Sequence, residues 1–273
     1  METRTGSHSD IRAGGPGRPR CLLVGAGPGD AELLTLKAVR AIEQATLLLV
    51  DDLVSPDVLA HASPQARIVH VGKRGGCRST PQAFIEKLMI AAVRAGERVV
   101  RLKGGDPLLF GRGGEEIERL QAAGIEVEVV NGVTAALAAA GALGLSLTHR
   151  DHAHGVLFLT GHARAGEPDL DWAQAAAAAR ALQLTLVIYM GVSTAAQIEA
   201  GLRQALPADT PVALVQQASL PQQRQLRTTL GDLQAALRRE GLGSPCVIIV
   251  GEVCRGLAAL HAPAIAAAAT ASG

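Results

Sequence analysis

Short apolar runs alternate along this chain with longer segments in which apolar residues recur at helical spacing. The runs fall at residues 21–24, 46–50, 67–71, 98–102 and 125–130, and helix-period segments lie between them at 31–45 and 81–96 and again from 133. Runs this short, bounded by Gly and Pro and separated by helix-length segments, predict βα units and a mainly parallel sheet. Ser79 or Thr80 is placed to cap the helix that opens with Pro81, and Gly96 and Gly124 follow the last periodic residues of their helices. Around residues 146–154 the pattern breaks into polar residues. It restarts at 155–160 and continues through 184–189, 211–216, 225–229 and 246–250. The expectation is two α/β domains with mainly parallel or mixed sheets, spanning residues 21–147 and 148–260. A disordered tail is expected over residues 1–20, and a flexible Ala-rich tail over 261–273.

The glycine-rich segments all follow a strand of this pattern. Gly25-Ala-Gly-Pro-Gly-Asp30 comes after the first, Asp51 after the second, Gly72-Lys73-Arg74 after the third, Gly104-Gly-Asp106 after the fourth, and residues 131–135 after the fifth. In open α/β sheets ligands bind outside the carboxyl ends of the strands, so these segments should converge on one edge. Met190-Gly191, Gln217-Ala218 and Gly251-Glu252 follow later strands in the same way, and a ligand cleft between the two domains is the expected consequence.

Each motif has a plain structural reading beside its chemical one. In the first glycine turn Asp30 stands where a dinucleotide-binding G-x-G-x-x-G has its third glycine, and a carboxylate there opposes a pyrophosphate. A tight turn with Asp30 capping a helix and a ligand site are equally good accounts. Gly104-Gly-Asp-Pro107 is stronger: adjacent glycines expose backbone, and a proline follows the carboxylate. Such a loop suits a zwitterionic or cationic ligand better than a phosphate. Asp51 and Asp52 end an apolar strand, placed either for chemistry or to cap the turn before Pro56. Glu115 and Glu116 fit the N-terminal dipole of the helix that begins near Gly111, leaving Arg112 to meet a substrate. Lys73, Arg74, Arg78, Arg101 and Lys103 form a basic cluster that could receive a polycarboxylate.

Bulk properties narrow the function classes. A formal charge of +1 and five scattered aromatic residues argue against a nucleic-acid partner. Cysteines 21, 77, 246 and 254 have no metal-ligand spacing and read as reduced thiols of a cytoplasmic protein. His149, His152, His154 and His162 crowd one region without a zinc pattern, so no metal is expected. No segment has the length and apolarity to cross a membrane, and neither a G-x-S-x-G elbow nor a Walker loop occurs.

The order of these segments, with Asp51-Asp-Leu-Val-Ser-Pro56, Val71-Gly-Lys-Arg74, Phe110-Gly-Arg-Gly-Gly-Glu-Glu116, Leu147-Thr-His-Arg-Asp-His152 and Thr160-Gly-His162, resembles the uroporphyrinogen-III C-methyltransferases of the tetrapyrrole (precorrin) methyltransferase family. The resemblance runs from about Cys21 to Val253. It implies the two-domain fold of that family, a homodimer, and methylation of uroporphyrinogen III at C2 and C7 by S-adenosyl-L-methionine to give precorrin-2 for cobalamin or sirohaem synthesis. It also implies that Asp51 is the proton acceptor and Lys73 the proton donor. S-adenosylmethionine contacts would fall on Pro28, Gly104, Gly105, Asp106, Leu109, Thr134, Ala135, Met190 and Ala218. The chain departs from the family at Val50, Asn131, Ala142 and Ser146. The rival expectations are a later precorrin or cobalt-precorrin methyltransferase and a non-catalytic tetrapyrrole binder.

Overall fold

The computed structural model describes residues 19–72, 80–163, 166 and 168–255. Both expected tails fall largely outside them, as do Lys73, Arg74, Cys77, Arg78 and Ser79. The chain forms two compact units that divide between Ala138 and Ala139. That division lies within a helix, ahead of the polar break at residues 146–154.

The first unit is a five-stranded sheet in the order β3-β2-β4-β1-β5, with every pairing parallel. Its strands are β1 (Arg20–Gly25), β2 (Leu47–Val50), β3 (Arg67–His70), β4 (Val99–Lys103) and β5 (Glu126–Val130). The helices are α1 (Leu36–Gln44), α2 (Pro56–Leu59), α3 (Gln82–Arg94), α4 (Gly113–Ala122) and α5 (Ala135–Leu143), the last of which runs on into the second unit. On one face of the sheet Val24, Leu48, Val50, Val100 and Leu102 pack with Ala38, Ala41 and Ile42 of α1. On the other, Leu23, Leu47, Leu49 and Val99 pack with Ile85, Met89 and Val93 of α3 and Leu120 of α4. Burial on both faces explains why the inner strands read as continuous apolar runs rather than alternating ones.

Two helix starts differ from the sequence reading. The segment expected as one helix over 31–45 is a single 3-10 turn, Ala31–Leu33, followed by α1. Asp30 and Thr35 each accept a backbone N–H, from Glu32 and Ala38, so two competing N-caps interrupt one amphipathic pattern. At α3 the capping position is taken by Pro81 itself, with no side-chain cap, and its carbonyl accepts from Phe84 and Ile85. Thr80 therefore does not cap this helix.

The second unit carries β6 (Gly155–Thr160), β7 (Leu184–Tyr189), β8 (Pro211–Gln216), β9 (Arg224–Thr229) and β10 (Cys246–Val250), with helices α6 (Trp172–Leu182), α7 (Ala195–Leu202) and α8 (Leu233–Arg239). Its sheet order is β6-β7-β10-β8-β9. Only β6 and β7 pair in parallel; β10 runs antiparallel to both neighbours and β9 antiparallel to β8. The core joins Leu186, Ile188, Leu214 and Ile248 of the sheet to Trp172, Ile198 and Leu237 of the helices. Among the described residues no helix is long and apolar enough to cross a membrane.

Candidate active site

Because all five strands of the first unit are parallel, their carboxyl ends share one edge, and the loops that leave them are tied to one another through backbone. Gly27 and Gly105 exchange N–H···O bonds of 3.2 and 2.6 Å, and Ala26 N–H donates to the Lys103 carbonyl at 2.8 Å. A side chain at Gly132 would put its Cβ 2.2 Å from Gly105 O, and one at Gly25 would lie 2.6 Å from both Gly105 O and Gly132 N. The loops after β1, β4 and β5 can therefore meet only where these residues are glycine. Asp106 joins the same loops from its side chain: Oδ2 accepts from Gly132 N–H and from Asn131 Nδ2, both at 3.1 Å, while Oδ1 accepts from Leu108 N–H at 2.8 Å. Asn131 thus supplies a second donor to the Asp106 carboxylate.

Beneath this edge lies a buried charge cluster. Arg101 and Lys103 alternate with apolar residues along β4, so both side chains point to the α3–α4 face; they are 2% and 3% exposed. Glu116 of α4, with no exposed surface, meets both cations: Arg101 Nε lies 3.1 Å from Oε1 and Lys103 Nζ 3.2 Å from Oε2. Gln82 Nε2 donates to Oε1 at 2.9 Å. Arg101 also donates through Nη1 to the Leu49 and Leu102 carbonyls, both at 3.3 Å, and its Nη2 lies 3.6 Å from Asp51 Oδ2. Burial, and then the neighbouring Arg101 charge, push the Lys103 ammonium pKa below its ordinary value against the opposing pull of Glu116 and Asp51.

Two expectations are corrected by these contacts and by a surface ion pair nearby. Arg101 and Lys103 are committed to Glu116 inside the unit and do not line a basic surface for a polycarboxylate. Arg112, expected to be the member left to meet a substrate, is engaged by Glu115 through Nη2 at 2.5 Å and Nε at 3.1 Å. The dipole account of Glu116 was also incomplete, since its main partners are two side chains of the adjacent strand.

Asp51 follows β2 directly. Its N–H donates to the Leu102 carbonyl at 3.0 Å, its Oδ1 accepts from Asp52 N–H at 3.1 Å, and its carboxylate is 37% exposed. The turn before Pro56 is closed by Val54 N–H donating to the Asp51 carbonyl at 3.3 Å, and the Asp51 carboxylate takes part in that turn through Asp52 N–H, while the cap of α2 is Ser55, which accepts from Asp57 N–H. Gly72, next to the undescribed Lys73, passes so close to this turn that a Cβ there would sit 2.1 Å from Asp52 Oδ1. Pro28, Gly104, Gly105, Asp106, Leu109, Thr134 and Ala135 all lie in the joined loops or at the start of α5. Lys73 lies outside the described residues.

In the second unit Met190 follows β7 with φ 54° and is 47% exposed, while Ala218 follows β8 between Gln217 and Ser219, at φ 51° and 72°. Left-handed backbone at non-glycine residues is strained and concentrates at functional loops. The ends of β6, β7 and β8 share one edge of that sheet, so the Gly161, Met190 and Ala218 segments belong together. Gly251 and Glu252 do not join them. The antiparallel β10 delivers them to the opposite edge, where Gly251 N–H donates to the Pro211 carbonyl.

The histidines and thiols have local roles. His149 and His152 stack at 4.5 Å and His154 Nε2 lies 3.2 Å from the Arg150 carbonyl. Among the described residues no group of His, Cys, Asp and Glu is gathered for a metal ion. Cys21, Cys246 and Cys254 are buried, and desolvation raises each thiol pKa to about 12, which leaves them unreactive as nucleophiles.

The first unit's edge has the character of a backbone-lined cradle. Gly105 is left-handed at φ 66°, and a Cβ there would point toward Thr134 Cα and Ala135 N at 3.8 and 4.0 Å. The absent side chain thus opens the Gly-Gly-Asp loop onto the first residues of α5. Peptide N–H and C=O groups with little fixed charge suit an adenosine and amino-acid moiety such as that of S-adenosylmethionine.

The sequence profile of the tetrapyrrole (corrin/porphyrin) methylases matches residues 20–234. The chain belongs to that family. Within it, the chain is 52% identical over 234 residues to the uroporphyrinogen-III C-methyltransferase of Pseudomonas aeruginosa, covering 85% of this chain and 93% of that protein. It is 47% identical to the siroheme synthase of Azotobacter vinelandii over 85% of this chain, but spans only 50% of that longer protein. Among solved structures, the uroporphyrin-III C-methyltransferase of Thermus thermophilus complexed with S-adenosylhomocysteine matches with TM-score 0.73 and 41% identity over 86% of this chain and 99% of that one. A cobalt precorrin-4 methyltransferase matches with TM-score 0.77 at 28% identity, over 86% and 95%. Family members with different substrates thus share this backbone, and sequence identity is what separates them. The two-domain fold expected from the resemblance is the fold observed.

Proposed function

We propose that this tetrapyrrole methylase is an S-adenosylmethionine-dependent uroporphyrinogen-III C-methyltransferase that methylates C2 and C7 and releases precorrin-2. The observation that carries the reading is the 52% identity to a uroporphyrinogen-III C-methyltransferase across 93% of that protein's length. The Gly27–Gly105 and Asp106–Gly132 ties that build the cradle add support.

Bound S-adenosylmethionine supplies an electrophilic methyl group on a sulfonium. In this reading Gly104, Gly105, Asp106, Leu109, Pro28, Thr134 and Ala135 hold it through backbone and small side chains, together with Met190 and Ala218. Their contribution is alignment, which accounts for several kcal/mol of a bimolecular barrier at typical effective molarities (roughly 7–11 at most). Alkylation of a pyrrole carbon leaves the ring with a proton to lose. Asp51, partly exposed at the end of β2, is assigned as its acceptor. Lys73 is assigned on the family resemblance as a proton donor or as the cation that holds a propionate or acetate arm of the ring; the alkylation itself releases a proton and consumes none. The enzyme is assigned to the cytoplasm as a homodimer on the family resemblance, and sedimentation equilibrium tests the dimer.

Anaerobic incubation of the protein with S-adenosylmethionine and freshly generated uroporphyrinogen III should yield two S-adenosylhomocysteine per tetrapyrrole and a product heavier by two methyl groups. Methylation of a later precorrin and not of uroporphyrinogen III would transfer the reading to the cobalt-precorrin branch. Ligand binding without methyl transfer would leave a tetrapyrrole binder.

A further inference from the structure

The charge cluster under the catalytic edge is arranged in a line from the interior to Asp51. Glu116 sits at its buried end with no solvent contact and takes three donors: Arg101 Nε, Lys103 Nζ and Gln82 Nε2. Arg101 is the only member that reaches both Glu116 and Asp51 among the ion pairs of the described residues. Its guanidinium is planar, so once Nε is fixed by Glu116 and Nη1 by the Leu49 and Leu102 carbonyls, the direction of Nη2 is set. Asp51 Oδ2 lies 3.6 Å from Nη2, an ion-pair contact. Asp51 Oδ1 is meanwhile held by Asp52 N–H. The carboxylate thus has two neighbours, a local N–H and a guanidinium whose position is tied to α4.

Nothing about core packing calls for this arrangement. A strand buried on both faces is served by apolar side chains, and β2 next door is wholly apolar. Two cations placed in β4 require a buried carboxylate to offset their desolvation, and three charges in the interior are seldom retained for stability alone. What the cluster adds is a rigid cation at one point on the edge, beside the residue assigned to take the proton.

We propose that Glu116 is a positioning residue for methyl transfer: it locks the Arg101 guanidinium, which in turn fixes the orientation of the Asp51 carboxylate. The inference rests on the assignment of Asp51 as proton acceptor. It predicts an effect on turnover that passes through Asp51 and leaves S-adenosylmethionine binding alone, because the cradle loops are held by their own backbone bonds.

The test is a double-mutant cycle on the full chain, assayed with S-adenosylmethionine and uroporphyrinogen III. Glu116→Gln and Arg101→Lys are each made alone and in an Asp51→Asn background. Each single variant should lower kcat by roughly tenfold to a hundredfold, the scale of a misplaced reacting group, with KM for S-adenosylmethionine and calorimetric affinity for S-adenosylhomocysteine unchanged. In the Asp51→Asn background neither should cost more than about twofold further, since residues acting as one unit are non-additive. Losses that multiply in the double variants, or full turnover in Arg101→Lys, would overturn the proposal. Arg101→Lys keeps the buried charge and decides the matter if Glu116→Gln folds poorly, as checked by circular dichroism. Wild-type turnover in Asp51→Asn itself would sink the assignment of the proton acceptor, a result separate from the cycle.

Discussion

The two units solve the same packing problem with different sheets, and the difference decides where loops and buried charge gather. In the first, five parallel strands deliver every following loop to one edge, where Gly25, Gly105 and Gly132 meet backbone to backbone. In the second, two of the five strands run the other way, so the loops are shared between two edges and Gly251 is carried away from Met190 and Ala218. Charge follows the same division. Among the described residues the first unit buries Arg101, Lys103 and Glu116, whereas the buried polar residues of the second are the neutral Thr185 and Thr210. Ion pairs of the second unit, such as Arg239–Asp232 and Arg255–Glu252, are exposed and local in sequence. Buried, partnered charge thus sits in the unit whose edge bears Asp51.

The sharpest way to break this comparison is to remove one buried polar group from each unit. Glu116→Ala leaves two buried cations unpaired and should cost about 3–5 kcal/mol in urea unfolding of the full chain. Thr185→Val removes one hydroxyl that donates to the Leu147 carbonyl at 2.8 Å, and should cost about 1 kcal/mol. Equal losses would mean that the charge cluster is no more integral to its unit than a single neutral bond.

A second contrast uses glycine. Gly132→Ala forces a Cβ onto Gly105 O, which is backbone and cannot swing aside; overpacking of this kind costs about 1–3 kcal/mol. Calorimetric affinity for S-adenosylhomocysteine should fall with it. Gly141→Ala, in α5 with no neighbour within 4 Å, should stabilise by about 0.5–1 kcal/mol and leave that affinity unchanged. An unaltered affinity in Gly132→Ala would detach the cradle from the loops that build it.

The smallest effect is on the surface of the second unit. Hydrogen bonds from Arg239 and then Thr228 hold the Asp232 carboxyl below its ordinary pKa. A carboxyl lowered in the folded state contributes stability that is present above its unfolded value and lost as pH falls through the folded one. Asp232→Asn should therefore lower stability slightly at neutral pH, leave it unchanged at the acid end, and so flatten the profile between the ordinary Asp range and the lowered folded value. A large loss at neutral pH would show that exposed pairs matter here as much as buried ones.

Most of the fold was legible because its signals are local. Apolar runs located most strands of the described residues, β9 with its single Leu226 being the least apolar, and the left-handed Gly96 and Gly124 do end their helices. The interrupted first helix was misread because two good caps, Asp30 and Thr35, lie within one amphipathic segment. The joined loops after β1, β4 and β5 were legible from topology, since parallel strands must share an edge. The charge cluster was not, although one signal existed. Arg101 and Lys103 alternate in a strand otherwise apolar, so they face the same buried side and call for a carboxylate on whatever helix covers it. That helix is α4, and the choice of Glu116 over Glu115 depends on which side of α4 turns inward.

By itself, then, the sequence determined the strand and turn positions, the glycine-bearing loops and the family. Periodicity, steric limits on φ and motif order are all written within a few residues of one another. Only the tertiary structure decided that Arg101 and Lys103 are interior, that Glu116 binds both, and that β10 turns Gly251 away from the Met190 edge. Those outcomes depend on which face of an element meets which neighbour, where desolvation makes an unpaired charge costly and strand direction sets where each loop emerges.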